Sequence, residues 1–386
     1  MLSQERVVTA LSHKEPDSVP MDFGGTSATG IQVTAYDRLK KLLGIETPSL
    51  VTNRRAQLVA VEEAIKNRLH ADIDGLEPNP PSSLPRVAGL PADASPVSAS
   101  PVSATIDEWG VHWLSGAGGA HVATNPPLAG METAAEVEAY PWPDAAAPSR
   151  CTGLREKVLE LRSRSPRAIA FNLGCQIASQ ARNMRGYEQW LMDFLLNPAL
   201  AKAVMRKIMA IHMITAERML AVIGDQVDVV TVADDLATQS GPMMSPAIYR
   251  KIIRPLQREM FGFIKARTKA KLFYHCCGAA SFFLEDFLEA GIDILNPVQV
   301  SAANMDPEFL KKNYGGRVTF WGGVDTQHLL PYGSPREVAD GVKRLIDIMA
   351  PGGGFILAAV HNIRPEVPPE NLVALFDTAW EYGRYK

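Results

Sequence analysis

A histidine and a cysteine two residues apart, His275 and Cys277, close the strand-like run Lys271-Leu-Phe-Tyr274. Side chains alternate along an extended chain. These two therefore point to one side, and Cys276 points to the other, toward a helical layer where it packs as a small apolar residue. One imidazole and one thiolate converging on a point make half of a tetrahedral zinc site. His361 is the natural third ligand, because it ends the apolar run Phe355-Ile-Leu-Ala-Ala-Val360. Two imidazoles and a thiolate leave one position of the ion open, as in catalytic zinc sites, where the metal acts as a Lewis acid on an oxygen or sulfur. The same residues also fit a metal-free site, in which His275 and Cys277 are buried and His361 binds a substrate oxygen.

Other polar residues fall at the ends of apolar runs. Asp234 and Asp235 end 227–232 and are the candidate acids; being adjacent, at most one faces a pocket, and the other caps a helix or holds a loop. Asn172, Gln239, Gln299, Trp321 and Asp325 are candidate substrate contacts, although Gln239 also suits a turn and Trp321 also suits a core. Asp22, Asp72, Asp74, Asn296 and Asn362 complete the set of strand-end polar residues.

Something must carry these residues to one place. The chain has 386 residues, 46% of them hydrophobic, enough for one large core or two. A formal charge of -3 gives no reason to expect nucleic acid or a membrane surface as partner. No apolar run reaches the roughly 18 residues of a membrane span, and the N-terminus lacks a signal-peptide layout. Four cysteines, two of them adjacent, make no disulfide framework. A cytoplasmic α/β enzyme is expected.

Strands are predicted at 19–23, 71–75, 168–172, 227–232, 271–274, 292–296, 318–321 and 355–360. Helices are predicted between them, at 31–43, 56–69, 152–163, 176–195, 198–223, 246–267, 280–289, 307–312, 335–349 and 369–382. Strand–helix alternation at this spacing means parallel strands with crossover helices, and eight of them make a (β/α)8 TIM barrel. Its active site lies at the C-terminal strand ends, where the polar residues above collect. The stretch 77–150, rich in Pro, Ser, Ala and Gly, reads as an insertion or lid after the second strand of a single 1–386 domain, with a hairpin of 104–113 and 120–124 across 116–119.

Several stretches, in order along nearly the whole chain, resemble the uroporphyrinogen decarboxylase superfamily, on its corrinoid-dependent methyltransferase side. They are 9–20 (TALSHKEPDSVP), 234–242 (DDLATQSGP) with Ser245-Pro246, 275–278 (HCCG), 320–327 (FWGGVDTQ), 361–365 (HNIRP) and 368–371 (PPEN). The decarboxylase is the poorer match. Its arginine-rich motif belongs after the first strand, where this chain reads Asp22-Phe-Gly-Gly-Thr-Ser-Ala-Thr29. A substrate with many carboxylates would lack its counter-charges there. The similar methyltransferases bind zinc through His-x-Cys and a later Cys. His275 and Cys277 match the first two, and His361 stands where the later Cys falls.

The resemblance implies a methyltransferase that moves a methyl group between a small methylated substrate, such as an aryl methyl ether, and the cobalt of a corrinoid. The pattern Asp-x-His-x-x-Gly that ligates cobalt is missing from this chain, so the corrinoid (cobalamin) would arrive on a partner protein. A homodimer is also implied. Two rival activities are transfer from a methylcorrinoid to a thiol, and a metal-free decarboxylase in which Arg182, Arg185 or Arg364 holds a carboxylate. A ligand-binding protein without catalysis is the non-enzymatic alternative.

Overall fold

Parallel strands linked by helices must be covered on both faces, and curling the sheet into a barrel also removes its edges. The computed structural model, which describes residues 1–79, 103–115 and 121–385, does this. In chain order its strands are β1 (Val51–Asn53), β2 (Leu58–Val59), β3 (Ile73–Leu76), β4 (Ser103–Ile106), β5 (His112–Ser115), β6 (His121–Thr124), β7 (Ala168–Cys175), β8 (Val229–Ala233), β9 (Lys271–His275), β10 (Ile294–Asn296), β11 (Thr319–Val324) and β12 (Phe355–Ala359). Seven of them form one parallel sheet in the spatial order β12-β11-β10-β9-β8-β7-β3.

Residues 19–23 close the gap between its edges. The Asp72 N–H donates to the Met21 carbonyl at 2.8 Å on one side, and the Asp22 N–H donates to the Leu357 carbonyl at 2.9 Å on the other. The eighth stave is thus extended chain with few ladder bonds, and the TIM barrel expected from the alternation is present.

Inward-facing side chains form a small separate core of Ile73, Ala168, Ala170, Val229, Phe273, Ile294, Trp321, Ile356 and Ala358. The helix Ser3–Leu11 plugs the N-terminal end of the barrel with Val7 and Leu11. A larger apolar layer between sheet and helices holds the outward-facing residues, Tyr274 and Cys276 among them. The four cysteines are free thiols. Among the described residues no helix is long and apolar enough to cross a membrane.

Several elements differ from the sequence reading. The predicted helix 56–69 shrinks to Glu63–Arg68, because the β1–β2 hairpin takes its first residues. The helix 246–267 is two helices, Pro246–Ile252 and Arg254–Lys265, and the break falls where Pro255, the second residue of the latter, has no N–H to continue the first. The insertion carries a three-stranded antiparallel meander, β4-β5-β6, instead of a single hairpin. Its β5–β6 turn falls on 116–120, outside the described residues. β3 starts two residues later than the predicted 71–75, and this shift bears on the site.

Candidate metal centre

The C-terminal end of β9 is held in register on both sides, with His275 opposite Ala233 on β8 and Asn296 on β10. Past His275 the chain turns at Gly278, whose φ of +82° suits glycine. A Cβ there would lie 2.5 Å from the Thr238 carbonyl oxygen, so that loop can approach only a glycine. The Cys277 N–H donates to Asp235 Oδ1 at 3.1 Å, and the Gly278 N–H donates to Gln299 Oε1 at 2.7 Å. These bonds turn the thiol back toward the imidazole, leaving Cys277 Sγ 3.2 Å from His275 Nε2.

His361, just beyond β12, brings its ring centroid to 5.6 Å from that of His275. One ligand atom from each of His275, Cys277 and His361 lies within 4.8 Å of the other two. Among the described residues this is the one such group of three or more. Zinc–nitrogen bonds of about 2.0 Å and a zinc–sulfur bond of about 2.3 Å put tetrahedral ligands between 3 and 4 Å apart. The donor set therefore fits zinc, with a small inward movement of His361.

The electrostatics suit that chemistry. Protein packed around it and the neighbouring His275 ring push His361 down to about 4, so its imidazole is neutral and free to ligate. Arg364 and His121, the latter on β6 of the insertion, also depress it, which puts both side chains within electrostatic reach of the mouth. Burial, with Asp235 beside it, raises the Cys277 thiol well above its ordinary value. A cation bound to the sulfur would offset that cost and favour the thiolate.

Of the adjacent acids, only Asp235 faces the mouth, with its Oδ1 3.8 Å from His275 Nε2. Asp234 turns into the helical layer. Its Oδ1 accepts the Ser179 N–H at 2.8 Å at the start of the helix Ala178–Arg185, and its Oδ2 accepts Gln257 Nε2 at 3.1 Å. Burial pushes its carboxyl up to about 6 against those bonds.

Gln299 and Gln239 form a polar string beside the centre. Gln299 Nε2 donates to Gln239 Oε1 at 2.6 Å, and Gln239 Nε2 donates to the Ser301 carbonyl at 2.5 Å. Asp325 accepts three backbone N–H groups of its own loop, from Gln327, His328 and Leu329. Trp321 is enclosed in the barrel beneath the mouth. Its Nε1–H donates to Asp22 Oδ2 at 2.9 Å, and its carbonyl accepts Asn296 Nδ2 at 2.9 Å. Burial raises Asp22 to about 6, opposed by donors from Thr29, Gly25 and Trp321.

Asp72 and Asp74, read as strand-end residues, sit instead at the start of β3 and are tied down, Asp72 by Arg6 at 2.7 Å and Asp74 by Lys66 at 2.5 Å. The residue that β3 delivers to the mouth is Glu77, which the misplaced strand hid. Its Oε1 accepts Asn172 Nδ2 at 2.6 Å. Protein crowding raises its pKa, while the Asn172 amide opposes the rise. Of the arginines considered as carboxylate contacts, Arg185 is buried against Asp193 at 2.7 Å, Arg182 reaches the Asp235 carbonyl at 3.4 Å, and Arg364 pairs with Glu366 at 3.1 Å.

The family model described as Uroporphyrinogen decarboxylase (URO-D) matches residues 133–382, well over half of the chain. The protein belongs to the uroporphyrinogen decarboxylase family. Curated relatives include the uroporphyrinogen decarboxylases of Azoarcus sp. (strain BH72), 25% identical over 173 residues, and of Hahella chejuensis (strain KCTC 2396), 29% identical over 140 residues. Those matches cover 44% and 36% of this chain, and 47% and 35% of the relatives, so the chain spans less than half the length of each. The fold is also that of a methyltransferase from Methanosarcina mazei, with a TM-score of 0.66 at 17% identity over 99% of both chains.

Proposed function

We propose that this family member is a zinc-dependent methyltransferase. It would move a methyl group between a small methylated substrate, with an aryl methyl ether as the favoured donor, and the cobalt of a corrinoid carried by a separate protein. The observation that carries this reading is the convergence of His275, Cys277 and His361 at the barrel mouth. The loop 22–29 after the first stave has no arginine with which to hold a polycarboxylate, which speaks against the family's decarboxylation.

When bound, zinc supplies a Lewis acid that draws electron density from the leaving atom of the substrate. His275 and His361 would hold it as neutral imidazoles and Cys277 as thiolate. In an ether demethylation the partner's reduced corrinoid would take the methyl group as co-substrate, the carbon–oxygen bond would break with its electron pair on oxygen, and that oxygen would take a proton. Asp235, at the mouth and 3.8 Å from His275 Nε2, is placed to hold or relay this proton. Asp234 contributes by fixing the helix Ala178–Arg185 beside it.

The test is purified protein with a reduced corrinoid protein and a panel of methyl donors, followed by the absorbance of methylcobalt. Methylcobalt formed by the wild type and abolished by Cys277→Ser supports the reading. No methylcobalt with any donor, together with released carbon dioxide from a small acid, would replace it with the lyase.

A further inference from the structure

The metal ligands occupy one side of the barrel mouth, on β9 and just past β12. Going round the barrel, β3 is three staves from β9 and two from β12, so its end faces them across the opening. Ile73 points into the barrel core, and alternation carries Gly75 and then Glu77 to the same inner side. On β7, Ala168 and Ala170 point inward and Asn172 follows. On β8, Val229 points inward and Thr231 follows. The inner face thus changes from apolar to polar at one level.

A Cβ on Gly75 would lie 2.9 Å from the Gly25 carbonyl oxygen, so the loop after the first stave packs directly on β3. That loop also joins the two sides of the mouth. The Ser27 N–H donates to Asn172 Oδ1 at 3.3 Å, and the Ser27 carbonyl accepts Asn362 Nδ2 at 3.0 Å, next to His361. A continuous hydrogen-bonded rim runs from Glu77 through Asn172, Ser27 and Asn362 to the metal ligands.

Asn172 spends its groups on this rim, its amide on Glu77 and its oxygen on Ser27 and on the Thr231 hydroxyl at 3.3 Å. Glu77 differs. It takes one bond from Asn172, reaches solvent within the mouth, and keeps acceptor capacity, since a carboxylate has about four lone-pair positions. We infer that Glu77, oriented by Asn172, is a substrate subsite that accepts a hydrogen bond from a hydroxyl group of the methyl donor, at the end remote from the transferred methyl. A neutral hydroxyl suits the place better than an ammonium, because the Arg364 guanidinium already acts on the mouth. The inference rests on the methyl-transfer reading for what the bound molecule undergoes, but not for its binding.

The experiment compares matched aryl methyl ethers, one with a free ring hydroxyl and one with that hydroxyl methylated, in wild type, Glu77→Gln and Glu77→Leu. Binding to the zinc-loaded protein is measured by calorimetry without any corrinoid, and methylcobalt formation is measured separately. The hydroxylated ether is expected to bind the wild type at least 10-fold more tightly than its capped partner. Glu77→Leu abolishes the preference, and Glu77→Gln, which keeps an acceptor and the Asn172 contact, retains part of it. In turnover the loss falls on KM and leaves kcat within about 2-fold. Equal preference in wild type and Glu77→Leu, or no preference in either, overturns the subsite. A Glu77-dependent preference in binding with no methylcobalt from any donor upholds the subsite and overturns the methyl-transfer reading instead.

Discussion

His275 Nδ1 lies 2.6 Å from the Oδ1 of Asn296, a side chain with no exposed surface whose own amide donates to the Trp321 carbonyl. With its amide group committed to that carbonyl, Asn296 presents its oxygen to the ring. Nδ1 must then carry the proton, which leaves the Nε2 lone pair aimed at Cys277 Sγ and the metal position. The bond reaches deeper still, since the Trp321 indole donates to Asp22, and Asp22 accepts Thr29 Oγ1 at 2.6 Å. A buried chain from the first stave therefore sets the tautomer of a candidate ligand on the fifth.

Removing that oxygen should weaken metal binding while the ligands remain. Asn296→Ala is expected to lose about 10- to 100-fold in zinc affinity. Asn296→Asp, which also presents an oxygen to Nδ1, should recover most of it. Competition against a chelator of known affinity reads both. Unchanged affinity in Asn296→Ala would show that the tautomer is set elsewhere.

The ligand set predicts a stoichiometry. Wild type purified without chelator should contain about one zinc per chain, and Cys277→Ser and His361→Ala should both lose it. Cobalt(II) substitution should give the intense near-ultraviolet band of thiolate ligation in wild type only. Zinc lost in Cys277→Ser but kept in His361→Ala would reassign His361 to the substrate. Zinc held by the folded site stabilises the fold by mass action, so chelation should lower the thermal midpoint and abolish any methyl transfer.

Asp234 and Asp235 are neighbours with opposite tasks, and two measurements separate them. Asp234→Ala removes the acceptor for Ser179 N–H and one of the two acceptors of the Gln257 amide, costing about 2–4 kcal/mol of stability. Asp235→Asn should leave stability within about 1 kcal/mol and disturb metal binding or turnover, because that side chain meets the Cys277 N–H and His275. The folded state raises Asp234 to about 6 from its usual 3.8, favouring the neutral carboxyl. Its stabilising effect is therefore present below the unfolded value and lost as pH rises to about 6. Asp234→Asn should flatten stability between roughly pH 4 and 6.

The barrel was legible because its cause is repeated. Seven apolar runs each stop at a polar residue and are each followed by an amphipathic helix, so errors of a residue or two leave the topology intact. The grouping of the three candidate ligands was legible because His275 and Cys277 lie on one strand end and His361 on another, and any eight-stranded barrel brings such ends together. What failed was register. A two-residue error in β3 put Asp72 and Asp74 at the mouth and hid Glu77, although alternation from Ile73 through Gly75 leads to it. Asp234 could not be told from Asp235, because the choice depends on Ser179 and Gln257, distant in sequence. Trp321 read equally well as core or stacking surface, and its bond to Asp22 joins residues at opposite ends of the chain.

The insertion is held by a titratable contact of its own. His212, on the long helix Pro198–Ile223, lies with its ring 5.2 Å from Trp109 of the insertion and its Nε2 3.1 Å from the Gln176 carbonyl that follows β7. Burial pushes its pKa down to about 4, with Gln176 opposing and Arg150 assisting. Folding thus favours the neutral ring. The stability it contributes is complete above the unfolded value near 6.5 and is lost as pH falls through about 4, a difference of about 3 kcal/mol. Asp22 and Asp234, both raised to about 6, change in the opposite sense over that range, so the wild-type curve alone mixes the effects. The difference between wild type and His212→Gln isolates the histidine, since glutamine can still donate to Gln176 and does not titrate. Denaturant midpoints followed by tryptophan fluorescence should nearly coincide for the two proteins at pH 7. At pH 4.5 the variant should be the more stable by about 2 kcal/mol. Equal midpoints at both pH values would mean that His212 is protonated without penalty, and that Trp109 and Gln176 do not confine it as the structure places them.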